Sequence, residues 1–299
     1  QAGSSSGFNA RPNGSTDVFG ESGIGSANEI VFSFCGLDAS RIFEVYESGA
    51  VAANRLWVIG YTQDETFHFI NQVVATPAVG GWHDCDLSAS VPALTAAAII
   101  HRKGVGAALA TENLRPNGSA DNRVLNHQCS HQWAVLKLDA GRIIEAKVEN
   151  AASVVYLAGY VKTGYVGNVN YVDYGLVPVG AFTDLAALPQ GAIGVCIEIL
   201  QTSGAYIGWQ SALRTKGVAF ADTGKAGGQV GIVGGDANRI VQAYQANVAV
   251  DFWQMGYFEE TPDVFVDFPF PEDVPWPPPS ATPRSPTSTA STPGSAAMR

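Results

Sequence analysis

The segment "NHQCSHQW" (126–133) places three metal-type donors at alternate positions, His127, Cys129 and His131. In an extended strand such residues share one face, with successive α-carbons roughly 6–7 Å apart. Imidazole and thiolate together suit zinc or copper. "HDCD" (83–86) could add His83 or Cys85. The matching stretch of a later repeat, around "GGQVGIV" (227–233), has none of these residues. The reading that stands is therefore no metal and no cofactor.

The best-repeated polar feature is Asp-Ala-x-Arg, at Asp38/Arg41, Asp139/Arg142 and Asp236/Arg239. An Arg fork could take an acidic ligand. The Asp could equally accept backbone N–H bonds within a turn, with the Arg clamping that turn. Because the pattern recurs with the fold, we expect the structural role. Five aromatics, Tyr165, Tyr171, Tyr174, Tyr206 and Trp209, are candidates for a glycan groove if exposed, or for a subunit contact if covered. The pairs Gly60-Tyr61, Gly159-Tyr160 and Gly256-Tyr257 each end a repeat, and Gly within a strand marks a bulge or a close backbone approach. "GGQVGIVGGDANR" (227–239) lacks the Lys-Ser/Thr pair of a phosphate loop and reads as a turn. The sequons "NGS" at 13–15 and 117–119 sit in a repeated turn, which explains them without a glycan. No nucleophile–base–acid set recurs, so the chain does not read as an enzyme.

These residues sit on a repeating frame. "DASRIFEVYESGAVAANRLWVIGY" (38–61), "DAGRIIEAKVENAASVVYLAGY" (139–160) and "DANRIVQAYQANVAVDFWQMGY" (236–257) are three copies of one pattern. A front pattern occurs twice, at 80–110 and 180–219, and "RPNGSTD" (11–17) echoes in "RPNGSAD" (115–121). Domain-sized spacing means tandem domains rather than solenoid turns. The hydrophobic period is two: Ile144, Ala146 and Val148 share one face, with Phe43 and Val45, and Val241 and Ala243, in the matching places. Strands such as "VVYLAGY" (154–160) are apolar on both faces, as a central strand would be. Short strands between Gly, Asn, Pro and Ser turns predict an all-β chain of tandem antiparallel sandwiches, jelly-roll-like. The expected division is a partial unit at 1–78, complete units at 79–174 and 175–261, and a Pro/Ser/Thr-rich tail at 262–299. The tail holds ten of the sixteen prolines and reads as extended or disordered. Its start, "VFVDF" (264–268), alternates well enough to be a strand donated to the incomplete first unit of a neighbouring copy, in a head-to-tail exchange that would link copies.

Composition bounds the partners. The net charge is −10 with 15% charged residues, which argues against nucleic acid, since phosphate binding needs clustered Lys and Arg. No apolar run approaches the roughly 18 residues of a membrane span. The start at Gln1 carries no signal-peptide pattern and suggests a processed or incomplete chain. Four cysteines make no disulfide framework, and we expect them free and buried.

The order "W-x-D-x-D-L … P-A … I … R-K-G", then "H-x-W-A-V-x-x-L-D-A-x-R-I-x-E-A … Y-L-x-G-Y", resembles modules of tailed-bacteriophage virion proteins, among capsid decoration, head-fibre and tail proteins. It covers roughly residues 11–61 and 79–257. The resemblance implies a structural role on a virion surface, assembly in the host cytoplasm, and other virion proteins as partners. It carries no active site. A lectin-like host-attachment module is the alternative. A repeat protein on a particle surface is expected to act as a symmetric homo-oligomer, with a trimer favoured.

Overall fold

The computed structural model describes residues 6–17, 23–24, 33–48, 60–62, 66–75, 77–104, 111–123, 125–126, 131–201, 210–218, 224–225, 229–246, 250–259 and 266–267. Among them there is no helix, and so none long and apolar enough to cross a membrane. The first unit contributes β1 (Ser6–Pro12), β2 (Gly23–Ile24), β3 (Phe43–Ser48) and β4 (Gly60–Tyr61). The second runs through β5 (Thr66–Val74), β6 (Trp82–Asp86), β7 (Ala97–Lys103), β8 (Thr111–Pro116), β9 (Leu125–Asn126), β10 (His131–Lys137), β11 (Ile143–Lys147) and β12 (Val154–Val161). The third repeats the series as β13 (Tyr165–Asp173), β14 (Thr183–Asp184), β15 (Ala192–Gln201), β16 (Gln210–Thr215), β17 (Gly224–Lys225), β18 (Gln229–Gly234), β19 (Val241–Gln245) and β20 (Val250–Glu259). Last comes β21 (Val266–Asp267).

The second and third units have one topology. Sheet β10-β7-β12-β5 corresponds strand for strand to β18-β15-β20-β13, and sheet β6-β11-β8-β9 to β14-β19-β16-β17. Numbered within a unit, both read six-three-eight-one and two-seven-four-five. All these pairings are antiparallel. The first unit supplies β2-β1-β3, which occupy places five, four and seven of the same scheme.

The period-two expectation holds where the second sheet is present. Ile144, Ala146 and Val148 are buried, as are Val241 and Ala243. Val45 departs from it at 41% exposed. The strands apolar on both faces are central ones: β12 lies between β7 and β5, and β20 between β15 and β13. Each fully buried Leu, Ile or Phe in such a layer contributes about 1.5–3 kcal/mol. One core cluster runs from the second unit, through Ile100, Leu136 and Leu157, into the third at Cys196, Met255 and Phe258. The two units are thus packed on one another.

The unit boundaries differ from those expected at 79 and 175. Strand 66–74 pairs with β12, and strand 165–173 pairs with β20. The units therefore span 66–161 and 165–259. Each begins with a strand that packs on its own unit and also bonds to a loop of the preceding one. Of the tail, only β21 lies within the described residues. Cys35, Cys85 and Cys196 are free, the last two buried, and Cys129 lies outside the described residues.

Candidate functional site at the unit junctions

His127 and Cys129 lie outside the described residues. His131 opens β10 and is buried. Its Nδ1 lies 2.7 Å from Nε2 of His101, and the two rings stack. His101 is 1% exposed, stacks flat on Trp133 at 4.5 Å, and meets Gln72 Oε1 at 3.0 Å. Among the described residues no group of three or more His, Cys, Asp or Glu is placed to hold a metal. Burial pushes the Cys35 and Cys196 thiols up to about 12, and burial with the charge of Asp84 pushes Cys85 up to about 11. None is a thiolate at neutral pH.

The histidines make the fold acid-sensitive. Burial holds His101 well below its ordinary value of 6.5, with His131, Arg102 and Lys103 adding to the effect. Burial also lowers His68, to about 4. Both are neutral in the fold, whereas the unfolded chain takes up their protons near pH 6.5. The contribution of these two groups to stability is therefore present above the unfolded pKa of 6.5 and is lost as pH drops below it towards 4. Urea midpoints between pH 7 and pH 4.5 are expected to fall, and less steeply in His101→Gln. Parallel profiles for parent and variant would contradict this.

The three Asp-Ala-x-Arg motifs are clamps. Asp38 Oδ1 accepts the N–H of Ser40 and Ile42, both at 2.8 Å. Asp139 Oδ1 accepts Ile143 N–H at 2.9 Å, and Asp236 Oδ1 accepts Asn238 and Ile240 at 2.9 and 2.7 Å. The Arg closes each turn in the left-handed region, with φ of 62° at Arg41, 62° at Arg142 and 63° at Arg239. That conformation is uncommon outside Gly, Asn and Asp. Guanidinium bonds help hold it: Arg142 donates to Val91 O and Arg239 to Leu188 O, each at 3.1 Å. In these two turns the guanidinium meets a carbonyl of its own unit.

The turns are tied in turn to the "RPNGS" loops. Asn13 donates to Asp38 Oδ2 and Asn117 to Asp139 Oδ2, each at 2.6 Å. Both sequon amides are thus engaged within the fold. Arg11 donates to Glu44 at 2.6 Å, and Arg115 forks onto Glu145 at 2.9 and 3.0 Å.

The same loops reach into the next unit, by one set of bonds at both junctions. Ser15 Oγ donates to Asn71 Oδ1 at 3.1 Å, Thr16 N–H to the same oxygen at 2.8 Å, and Gln72 N–H to Asp17 Oδ2 at 2.7 Å. Ser119 Oγ donates to Asn170 Oδ1 at 3.1 Å, Ala120 N–H at 2.8 Å, and Tyr171 N–H donates to Asp121 Oδ2 at 2.7 Å. The receiving strand is shaped for this. The β5–β12 ladder shifts register between His68 and Val73, and the β13–β20 ladder between Gly167 and Val172. The backbone freed by each shift turns to the loop of the preceding unit. Each hydrogen bond contributes about 1 kcal/mol. Asn170→Ala is expected to cost about 2 kcal/mol, with hydrogen exchange rising first in β13. Unchanged exchange there would argue that the loop merely rests on the strand.

Beneath the second junction lies a buried polar network. Arg123 pairs with Glu198 of β15, their side chains 6% and 0% exposed. The Arg123 guanidinium lies 3.8 Å from the Tyr171 ring centre and 5.4 Å from that of Trp253. Gln132 donates to Asn113 Oδ1 and to Glu198 Oε1, both at 3.1 Å, and accepts from Arg102 Nε at 3.0 Å. Arg102 pairs with Glu112, which also accepts Ser153 Oγ at 2.7 Å.

Two of the aromatic candidates, Tyr165 and Tyr171, lie at this junction. Tyr165 is buried and donates to Val135 O of the preceding unit at 3.0 Å. Tyr171 is buried beneath Arg123. Tyr174 is half-buried and bonds Gln254 Oε1 at 2.7 Å. Tyr165 and Tyr171 are covered rather than exposed, because their strand opens the third unit and packs against the second. Tyr206 and Trp209 lie outside the described residues. Asn71, Asn170, Arg123 and Glu198 were not foreseen as candidates. The echo of "RPNGS" followed by Asp was the one signal pointing to the first two. No family model, curated protein or solved structure matches the chain.

Proposed function

We propose that this chain is a non-enzymatic structural protein of a virion surface, a capsid decoration, fibre or tail component, built from tandem jelly-roll modules. The strand orders six-three-eight-one and two-seven-four-five support the jelly-roll reading, since they are those of an eight-stranded double Greek key, an architecture used by viral capsid and lectin domains. The observation that carries the functional reading is where the repeated polar residues go. The Asp-Ala-x-Arg turns hold loops within a unit, and the Asn-Gly-Ser-x-Asp loops hold one unit to the next. The repeated polar chemistry is spent on mechanical continuity. The burial of Tyr165 and Tyr171 removes two of the five aromatics on which the lectin-like alternative rested. Antibodies raised against the folded chain are expected to decorate intact phage-like particles in negative stain, at regular positions. Particles that carry no such label, together with sub-millimolar glycan binding by the isolated chain, would replace this reading with the lectin-like one.

A further inference from the structure

The first unit contains counterparts of strands four, five, seven and eight of the complete units, and its strand eight, β4, pairs antiparallel with β21 from beyond the third unit. The register of that pairing is informative. In the second unit Tyr160 faces Phe67 and Gly159 faces His68 across β12 and β5. In the third, Tyr257 faces Val166 and Gly256 faces Gly167. In the first, Tyr61 faces Val266 and Gly60 faces Asp267. All three Gly-Tyr pairs thus meet a strand in one register, and in both complete units that strand is strand one of the same unit.

A second observation concerns the junction clamp. Where the first two units have Ser15 with Asp17 and Ser119 with Asp121, the third has Val218 and Phe220. Asn71 and Asn170 stand four residues beyond the partner of the Tyr, and that place after Val266 is held by Phe270. Both halves of the clamp are therefore missing together at the end of the third unit. The sequence of the third unit thus lacks the residue types that make the clamp at the other two junctions.

We infer that β21 is strand one of the first unit, supplied by the same chain from the far side of the third unit, so that the array is closed through the β4–β21 ladder. The ends of a tandem array are then joined by a backbone ladder, which protects an edge otherwise open to pairing with other chains.

The test is disulfide trapping in the full chain. Tyr61→Cys with Val266→Cys places two cysteines directly opposite, within the α-carbon range a disulfide accepts. Tyr61→Cys with Asp267→Cys offsets them to opposite faces. Under mild oxidation, with the bridge located by peptide mass spectrometry, the matched pair is expected to close within one chain at least tenfold faster than the offset pair. Equal rates, or no bridge at either pair, would overturn the register. Disulfide-linked dimers or ladders from the matched pair would overturn closure within one chain and put a neighbouring copy's tail in its place.

Discussion

Glu198→Ala is expected to cost the chain about 3–5 kcal/mol, because it leaves a buried guanidinium without its counter-charge. Arg123 has little other means of neutralisation. Its side chain is 6% exposed, and its other acid, Asp121, stands farther off at 3.7 Å while accepting Tyr171 N–H. The pair joins different units, since Arg123 follows β8 whereas Glu198 lies in β15. The loss is therefore expected at the interface between units as well as in global stability, and should appear as faster hydrogen exchange in β15 and β10. Converting both partners to apolar residues, Arg123→Met with Glu198→Leu, should cost much less than the single change, since paired burial of charge offers little net stabilisation. A single variant as stable as its parent would mean that water reaches Arg123 and that the junction is not dry.

The strand that follows each Asp-Ala-x-Arg turn was legible because it alternates. Ile144, Ala146 and Val148 sit under a facing sheet, and their spacing of two records that directly. The turn was legible as a turn because Asp at its first position has a local use. The left-handed Arg was not, since nothing in the residue type announces a positive φ; the neighbouring bonds impose it. The first strands of the units were assigned to the wrong side of the boundary for a different reason. "TFHFINQVV" and "YVGNVNYVD" share little hydrophobic alternation, because each breaks register midway to serve the preceding unit. What they share is an Asn at the same place, and its meaning depends on a loop 55 and 50 residues upstream. His131 shows the same limit. Its partner His101 lies on a neighbouring strand, and only the register brings the two rings together. The Arg123–Glu198 pair, 75 residues apart, left no periodic trace at all.

Gly159→Ala is expected to destabilise by about 3 kcal/mol, the upper part of the range for overpacking. A Cβ at this position would drive into the Phe67 carbonyl oxygen, and would meet His68 Cα at 3.1 Å and Phe67 C at 3.2 Å. All three atoms are backbone, so no side-chain rotation relieves the contact. Nor can β5 easily withdraw, because Gln72 and Asn71 are held by the loop of the first unit. Gly256 repeats the geometry, with Val166 O at 2.6 Å and the Tyr165 ring beside it, so Gly256→Ala should behave alike. Gly141 is the control. Its Cβ would meet only the ends of Asp139 and Ile143 side chains at 3.3 Å, and Gly141→Ala should stay within about 0.5 kcal/mol of the parent. Exchange in β5 should rise selectively in the Gly159 variant, because the strand must leave either its ladder or its clamp. If Gly159→Ala unfolds at the same denaturant concentration as Gly141→Ala, β5 has room to move. The Gly of the Gly-Tyr pair would then owe its place to something other than the close approach of strand one.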